Sequence, residues 1–444
     1  MTRYLIIGNG AAGVTAAEEI RARDPGGAIT VVSAEAHPMY SRPGLAYAIL
    51  SEIPTAQVVA RRPEWYVQQK IALVYDRAVK LDTAARQVHL ARRAALPYDR
   101  LLIATGARAA ALPYPGAALA GVVYLDTLDG TQELMRQLKG AKRAVVVGGG
   151  ITALEMTEGF AHQRVETHYL ARRDTLWSAV FNETESQLLD HHMQAHGIRI
   201  HYNTEITEVL GDQKKRVTGV KLNSGDVLPC SVVGAGIGVK PELDWLKGAP
   251  LKIERGLLAD EYLETNIPGV YVAGDCAQVW DRWTNKHLLD ALWPTAVAQG
   301  RVAGANLAGV HEVYAKGTSF NACLLFGLHI TAMGQIGGGR DEEAEIVQHT
   351  LSRGSSEIWG TRPHSYVSAW THAGDNSLRL MLDGDRLAGA LVIGEQSLAD
   401  PLRDLIDWQV DITPVRPALL AGGSELPGQI LAFWQEARAQ RPNG

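Results

Sequence analysis

The sequence predicts an α/β fold with an α+β unit at its C-terminal end. Two glycine-rich motifs, Gly8-Asn9-Gly10-Ala11-Ala12-Gly13 and Gly148-Gly149-Gly150-Ile151-Thr152-Ala153, each follow a short apolar run. Near the C-terminus, Asp383-Gly384-Asp385 separates two apolar stretches, which is a strong hairpin signal. One glycine motif is weak evidence, but two in a strand–turn–helix context are strong. Together these features predict two Rossmann-like dinucleotide-binding domains followed by an α+β domain.

The glycine spacing has the same physical reason at both motifs. Gly8 and Gly148 lie where a tight turn requires a backbone conformation that other residues resist. Gly10 and Gly150 lack a side chain, so a diphosphate can approach the main chain. Gly13 allows the first helix to pack closely on its strand. The next residues begin helices whose N-termini attract the diphosphate. The residues predicted to contact the diphosphates there are Ala11, Ala12, Ile151 and Thr152.

Composition excludes several other classes of function. The chain has 444 residues, of which 46% are hydrophobic, and a formal net charge of −5. It has no basic tract, so nucleic-acid binding is not expected. No apolar run approaches the length of a membrane span, and the first strand begins too early to leave room for a signal peptide. A cytoplasmic location is therefore expected.

The three cysteines, Cys230, Cys276 and Cys323, are far apart in the sequence. No Cys-x-x-Cys pair is present, which argues against a local dithiol centre, a disulfide framework and a thiolate metal site. We expect all three to be small buried residues.

Further elements follow in the order of a dinucleotide fold. Residues 28–32 are predicted to form the second parallel strand, after which Glu35 is a candidate for binding the adenosine ribose. A solvated loop glutamate is the alternative. Residues 79–81 and 88–90 predict a hairpin. A buried strand then ends in the turn Ala104-Thr105-Gly106, and Pro113 marks a boundary.

A later segment points back to the first domain. The strand 231–236, which ends at Gly236, is predicted to return the chain there. Residues 265–275 then form a short strand ending in Gly274-Asp275, which places the Asp275 carboxylate at a strand's carboxyl end, where such folds bind ligands. There it can accept hydrogen bonds from ribityl hydroxyls.

These motifs occur in the order found in the pyridine nucleotide–disulfide oxidoreductase superfamily, which the chain resembles. The resemblance implies a FAD-binding domain (1–112 and 231–315), an NAD(P)H-binding domain (113–230) and a C-terminal interface domain (316–444) that supports a homodimer. Residues 40–45 resemble the rubredoxin, ferredoxin and nitrite reductase type, which passes electrons from NAD(P)H through FAD to a separate acceptor.

The chain departs from two patterns of this family. Pro43 occupies the position of the reactive cysteine found in the single-cysteine branch, and a proline cannot relay electrons as a thiol. Residues 45–48 lack the lysine that is common in the ferredoxin-reductase branch. Arg42 is then the one cation expected to approach the FAD phosphates or ring edge, with a surface arginine as the alternative.

The second glycine motif has its own predicted partners. The family's ribose-binding glutamate falls at Ala171, and Arg172 and Arg173 follow, which favours the 2′-phosphate of NADPH over NADH. The alternative is two solvated arginines and an enzyme that accepts either coenzyme. Glu155, expected on the first turn of the following helix, matches the family's glutamate beside the nicotinamide and is the candidate catalytic residue.

Trp293-Pro294-Thr295 resembles the start of the family helix that faces the flavin pyrimidine ring, with Thr295 as a possible cap. The expected reaction is hydride transfer from NAD(P)H to flavin N5, then electron transfer to an acceptor such as a small iron–sulfur protein. An NAD(P)H oxidase that reduces O2 and a flavin-bound redox-sensing scaffold remain alternatives.

Overall fold

The computed structural model describes residues 1–337, 351–362 and 366–441. Helices and strands are numbered in chain order. The helices are α1 (Ala11–Arg23), α2 (Gly44–Ile49), α3 (Pro63–Gln68), α4 (Leu128–Leu138), α5 (Ile151–His162), α6 (Glu183–Ala195), α7 (Trp293–Leu307), α8 (Ala399–Trp408), α9 (Arg416–Ala421) and α10 (Leu426–Ala439). Across these described ranges, no helix combines the length and apolar character needed to cross a bilayer.

A parallel sheet of five strands forms the first nucleotide-binding unit. Its strands are β1 (Arg3–Ile7), β2 (Ala28–Ser33), β3 (Ile71–Tyr75), β7 (Arg100–Ile103) and β19 (Val270–Val272). They lie in the order β19-β7-β1-β2-β3. The predicted second strand is confirmed, because β2 pairs in parallel with β1. The apolar run in β1 is buried, as expected for a strand covered on both faces.

The second glycine motif follows the central strand of another parallel sheet. Its strands are β9 (Val122–Val123), β10 (Arg143–Val147), β11 (Glu166–Leu170), β12 (Arg199–His201) and β16 (Val232–Ala235). They lie in the order β12-β11-β10-β16-β9. The expectation that strand 231–236 returns to the first domain is wrong, because β16 pairs with β10 in this second sheet. A continuous run of small apolar residues suits either buried parallel sheet, so the sequence pattern does not distinguish them.

The described residues also form four smaller sheets. Their strands are β4 (Ala78–Asp82), β5 (Gln87–Leu90), β6 (Leu96–Pro97), β8 (Ala107–Ala109), β13 (Ile206–Gly211), β14 (Val217–Leu222), β15 (Val227–Pro229), β17 (Val239–Pro241), β18 (Leu257–Leu258), β20 (Ala277–Asp281) and β21 (Lys286–Leu289). The predicted hairpin is confirmed as the antiparallel pair β4–β5. The return to the first unit comes at β17, which pairs with β8.

The C-terminal part contains an antiparallel sheet. Its strands are β22 (Phe320–Leu325), β23 (Leu328–Gly334), β24 (Tyr366–Ala373), β25 (Asn376–Asp383) and β26 (Arg386–Ile393), in the order β22-β23-β26-β25-β24. The predicted Asp-Gly hairpin is confirmed as β25–β26. Helix α8 packs against this sheet through Leu402 and Leu405, which are both buried.

A buried ion cluster attaches the C-terminal part to the first unit. Lys316 Nζ lies 3.0 Å from Asp281 Oδ1 and 2.9 Å from Asp290 Oδ2. Ser356 Oγ donates a hydrogen bond to Asp290. Ser356 belongs to the described segment 351–362, which lies between β23 and β24 in the chain.

Candidate active site between the two glycine loops

A cavity of about 970 Å³ lies at the carboxyl ends of the first sheet and reaches the start of α5. It brings together most of the site residues predicted from the sequence. Those that line it are Gly8, Gly10, Ala11, Ala12, Glu35, Arg42, Pro43, Ala104, Thr105, Gly106, Ile151, Thr152, Glu155, Gly274, Asp275 and Trp293. The other predicted residues lie outside its lining: Gly13, Gly148, Gly150, Arg172, Arg173, Gly236, Pro294 and Thr295.

The first glycine loop has the geometry that its spacing predicts. Gly8 has a φ of +122°, and a Cβ there would lie 2.0 Å from the carbonyl oxygen of Ala104. A Cβ on Gly13 would lie 2.1 Å from the carbonyl oxygen of Gly8. A Cβ on Gly10 would meet no atom within 4 Å. The loop therefore packs tightly at Gly8 and Gly13 and leaves open space at Gly10, at the N-terminus of α1.

Glu35 and Arg42 are joined in the cavity wall. Arg42 Nη2 donates to Glu35 Oε1 at 2.7 Å, and the Tyr40 hydroxyl donates to Glu35 Oε2 at 2.7 Å. The Glu35 side chain is 20% exposed, which excludes the alternative of a freely solvated loop glutamate. Arg42 also contacts Asp126 Oδ1 at 3.4 Å. Both predicted residues thus belong to one network of alternating charges.

A second cation enters this network, which the sequence did not predict. Arg353 Nη2 donates to the carbonyl oxygen of Ala107 at 3.0 Å and to the carboxylate of Asp126. Its Nη1 lies 3.7 Å from Asp275 Oδ2. The expectation that Arg42 is the one cation near the flavin site is therefore wrong. Arg353 belongs to no motif and comes from the C-terminal part, so its position depends on tertiary structure.

Two acidic residues in the cavity have raised pKa values. Burial raises the pKa of Asp275, although Arg353 and Arg42 oppose the shift. Burial and the neighbouring Glu158 raise the pKa of Glu155 to about 8. Glu155 is the fifth residue of α5 rather than a first-turn residue, so a dipole contact at the helix start does not account for it. At neutral pH its carboxyl group is mainly protonated and can donate a hydrogen bond.

The second glycine loop makes the same turn but has different surroundings. Gly148 has a φ of +142°, and a Cβ there would lie 2.1 Å from the carbonyl oxygen of Gly236. A Cβ on Gly150 would lie 2.2 Å from Ser352 Oγ. Gly150 is buried, whereas Gly10 is partly exposed. Gly236 therefore supports the turn, and Ser352 covers the face of Gly150.

The predicted coenzyme-specificity residues lie on the surface beyond β11. Ala171 is buried, whereas Arg172 and Arg173 are exposed. Arg172 Nε lies 3.5 Å from Glu205 Oε2. The two arginines are therefore accessible to a phosphate, and a carboxylate lies beside one of them.

The helix start at Trp293 differs in one detail from the expectation. Helix α7 begins at Trp293, with Pro294 in its first turn, and its N-cap residue is Leu292. Thr295 is therefore inside the helix and is not the cap. Trp293 lines the cavity at this N-terminus.

The cysteines are unpaired, and one differs from the expectation. Cys230 and Cys276 are buried, but Cys323 is partly exposed and lines the cavity. Burial raises the pKa of Cys230 to about 12 and that of Cys276 to about 11, and it also raises the pKa of Cys323. All three groups are therefore thiols rather than reactive thiolates at neutral pH.

Comparison with known proteins agrees with this geometry. The family model described as pyridine nucleotide-disulphide oxidoreductase matches residues 2–300, and the chain belongs to this family. Putidaredoxin reductase from Pseudomonas putida is 32% identical over 316 residues, which cover 69% of this chain and 74% of that protein. The crystal structure of a ferredoxin reductase from Rhodopseudomonas palustris has a TM-score of 0.83 and 25% identity, covering 97% of this chain and 100% of that chain.

A longer relative extends the comparison. Nitrite reductase [NAD(P)H] from Bacillus subtilis is 24% identical over 415 residues, which cover 93% of this chain and 48% of that protein. The chain thus spans about half the length of this relative. Membership of this family implies FAD as the cofactor and NADH or NADPH as the electron donor.

The cavity fits FAD. Its size, the open face of Gly10 and the donors at the start of α1 suit a bound dinucleotide. The carboxylates of Glu35 and Asp275 provide acceptors for hydroxyl groups.

Proposed function

We propose that the protein takes a hydride from NADPH or NADH onto FAD and passes the electrons to a separate acceptor without a protein disulfide. The observation that supports this most directly is the cavity, which extends from Gly10 at the start of α1 to Ile151 and Glu155 on α5. The two dinucleotide-binding units therefore face one space. When bound, the flavin supplies a ring that accepts hydride at N5 and later releases the electrons.

Each side chain has a proposed task in this cavity. The turn at Gly8 and Gly10 and the N-terminus of α1 bind the FAD diphosphate. Glu35 accepts hydrogen bonds from the adenosine ribose, which requires it to share or release Arg42. Asp275 accepts from the ribityl hydroxyls, and the α7 N-terminus at Trp293 stabilises negative charge on the ring.

Glu155 is proposed to orient the nicotinamide. It lines the cavity on the same helix as Ile151 and Thr152, which start α5. Its raised pKa, about 8, keeps a proton available on the carboxyl group at neutral pH. A protonated carboxyl group can donate to an amide oxygen, whereas a carboxylate can only accept.

Direct transfer from flavin to acceptor is favoured over a thiol relay. Pro43 lines the cavity at the position where the single-cysteine branch has its nucleophile. Cys323 also lines the cavity, but burial and the nearby acidic side chains of Glu155 and Glu158 raise its pKa. A thiolate is the nucleophile in disulfide exchange, so this environment suppresses such chemistry.

A small iron–sulfur protein is the proposed acceptor. The matched relatives include reductases named for putidaredoxin and for ferredoxin. We propose NADPH as the preferred coenzyme because Arg172 and Arg173 are exposed beyond β11. We also propose a C-terminal domain that begins near residue 316 and supports a homodimer.

An anaerobic titration tests the first half of the reaction. Purified protein is expected to be yellow. With O2 and other acceptors absent, either coenzyme should bleach the flavin absorbance. The second half is tested by adding a ferredoxin, a rubredoxin, a quinone or O2 to the reduced protein. Reoxidation that is fast with O2 and slow with every redox protein would contradict the proposed acceptor class, and a colourless protein would contradict the function.

A further inference from the structure

The second glycine loop is covered by a segment that lies far away in the sequence. Residues 351–354, here named the strap, run from the edge of β17 to Ala291. A Cβ on Gly150 would lie 2.2 Å from Ser352 Oγ and 2.6 Å from Ser352 Cβ. The space that a side chain would need at Gly150 is therefore filled by Ser352.

In this fold the second glycine is bare so that the diphosphate can approach the main chain. The first loop follows that rule, because no atom lies within 4 Å of a Cβ built on Gly10. At the second loop, Ser352 and Gly150 are in contact and leave no room for a phosphate between them. In this position Ser352 excludes a diphosphate from the face of Gly150 and does not serve as one of its ligands.

The strap is held by contacts that lie outside the glycine loop that it covers. Val239 N donates to the carbonyl oxygen of Leu351 at 2.8 Å, and Gly354 N donates to the carbonyl oxygen of Ala291 at 2.8 Å. Arg353 binds Asp126 and lies 3.7 Å from Asp275. These contacts hold the strap while Ser352 rests on Gly150.

The closed position leaves two polar atoms unsatisfied. In the described part of the chain, Ser352 Oγ and Arg353 Nε are both buried and have no hydrogen-bond partner. A buried polar atom without a partner disfavours the state that contains it. The closed strap is thus held by a few contacts and opposed by two unmet hydrogen bonds, which suits a segment that opens.

We propose that the strap competes with the nicotinamide coenzyme for the second glycine loop, so that the coenzyme binds only when Ser352 has moved off Gly150. This proposal rests on the proposed function, since it takes that loop as the site of the coenzyme diphosphate. The apparent Kd then equals the intrinsic Kd divided by the fraction of open molecules. Arg353 holds the strap in its closed position through its contacts with Asp126 and Asp275.

The test measures NADP⁺ and NAD⁺ binding to the FAD-loaded protein by the change in flavin absorbance. Ser352→Gly removes the covering atoms and is expected to lower the apparent Kd about tenfold, which equals about 1.4 kcal/mol. Arg353→Gln weakens the contacts that hold the strap closed and should also lower the apparent Kd. Ser352→Ala keeps the Cβ over Gly150 and removes the unsatisfied hydroxyl, so the strap stays closed and the Kd should not fall below the wild-type value.

A matched control removes a contact to the segment 351–362 at a point outside the strap. Arg255 pairs with Glu357, and Arg255→Gln removes this contact without touching the strap. Its Kd should equal that of the wild type. Should Ser352→Gly and Ser352→Ala both weaken coenzyme binding, Ser352 is a ligand and the competition is wrong. An unchanged Kd in Ser352→Gly also overturns the proposal.

Hydrogen exchange gives a readout that does not depend on turnover. The Gly354 amide, bonded to Ala291, should exchange faster when NADP⁺ is added to the wild-type protein. Slower or unchanged exchange would contradict strap opening. If the coenzyme reduces the flavin normally but the Kd of Ser352→Gly is unchanged, only the proposed competition by the strap is refuted. No reduction by either coenzyme in the wild type and all variants refutes the proposed function, and the strap with it.

Discussion

At the first glycine loop a methyl group added to Gly10 would meet no atom within 4 Å, whereas at the second loop the same addition to Gly150 would overlap Ser352. The turns themselves are alike, since Gly8 and Gly148 have φ values of +122° and +142°. Both loops follow a buried parallel strand and begin a helix. The motif therefore specifies the turn, but it does not specify whether the face of the turn is open to a ligand.

This difference separates two kinds of glycine within one motif. Gly8 and Gly13 are required by the backbone around them, because added Cβ atoms would lie 2.0 and 2.1 Å from carbonyl oxygens. Gly10 is required only by what binds there. Gly150 now serves a third purpose, which is to admit a side chain of the same polypeptide.

The largest effect is expected at Gly13. Gly13→Ala forces a methyl group against the Gly8 carbonyl and should cost about 3 kcal/mol or more of unfolding free energy, with loss of FAD. Gly10→Ala is the matched control and should cost less than about 1 kcal/mol while weakening FAD binding. Urea denaturation and FAD titration measure the two effects. Equal stability losses in the two variants would remove the distinction between them.

The contact between Gly150 and Ser352 predicts coupling between the two positions. Gly150→Ala should destabilise the protein by about 1–3 kcal/mol because the methyl group overlaps Ser352. Adding Ser352→Gly should recover much of this loss, with a coupling energy of about 1–2 kcal/mol in a double-mutant cycle. The cycle of Gly10→Ala with Ser352→Gly is the control and should be additive. Additivity at Gly150 would mean that Ser352 does not cover the loop.

Coenzyme preference tests whether the second loop serves NADPH. Arg172→Glu with Arg173→Gly should lower the ratio of kcat/KM for NADPH to that for NADH at least about tenfold, since each charge-assisted contact contributes about 1.5–3 kcal/mol. Glu205→Gln frees Arg172 from its 3.5 Å partner and should raise the ratio slightly. A ratio unchanged by the double substitution would contradict NADPH preference.

The smallest effect on coenzyme binding is expected from the ionisation of Glu155. Its pKa is raised to about 8, so the neutral form predominates at pH 7 and the carboxylate above pH 8. The carboxylate attracts the cationic ring of NADP⁺, so NADP⁺ should bind a few-fold more tightly relative to NADPH as the pH rises through 8. Because the pKa is raised from 4.5 in the unfolded chain to about 8 in the folded protein, folding stability falls as the pH rises from about 4.5 to about 8 and levels off above that. Both trends should disappear in Glu155→Gln.

Much of the site could be predicted because its parts follow local rules. The turns at Gly8 and Gly148, and Asp275 after a short strand, each depend on neighbours in the sequence. The sequence predicts the wrong sheet for β16 because its apolar pattern suits either parallel sheet. The sequence also predicts the cap of α7 at Thr295, three residues after the observed cap Leu292, since the start of a helix depends on backbone geometry as well as on residue preference.

The sequence by itself determined the two glycine turns, the helices that follow them and the positions of Glu35 and Asp275 after their strands, from which both line the cavity. Tertiary structure alone decided that Arg353 joins Asp126 and Asp275 and that Ser352 closes the face of Gly150. Turns and helix starts depend on the conformations allowed to a few consecutive residues, which the sequence states directly. Contacts between distant segments depend on how whole sheets pack, and no local pattern encodes that.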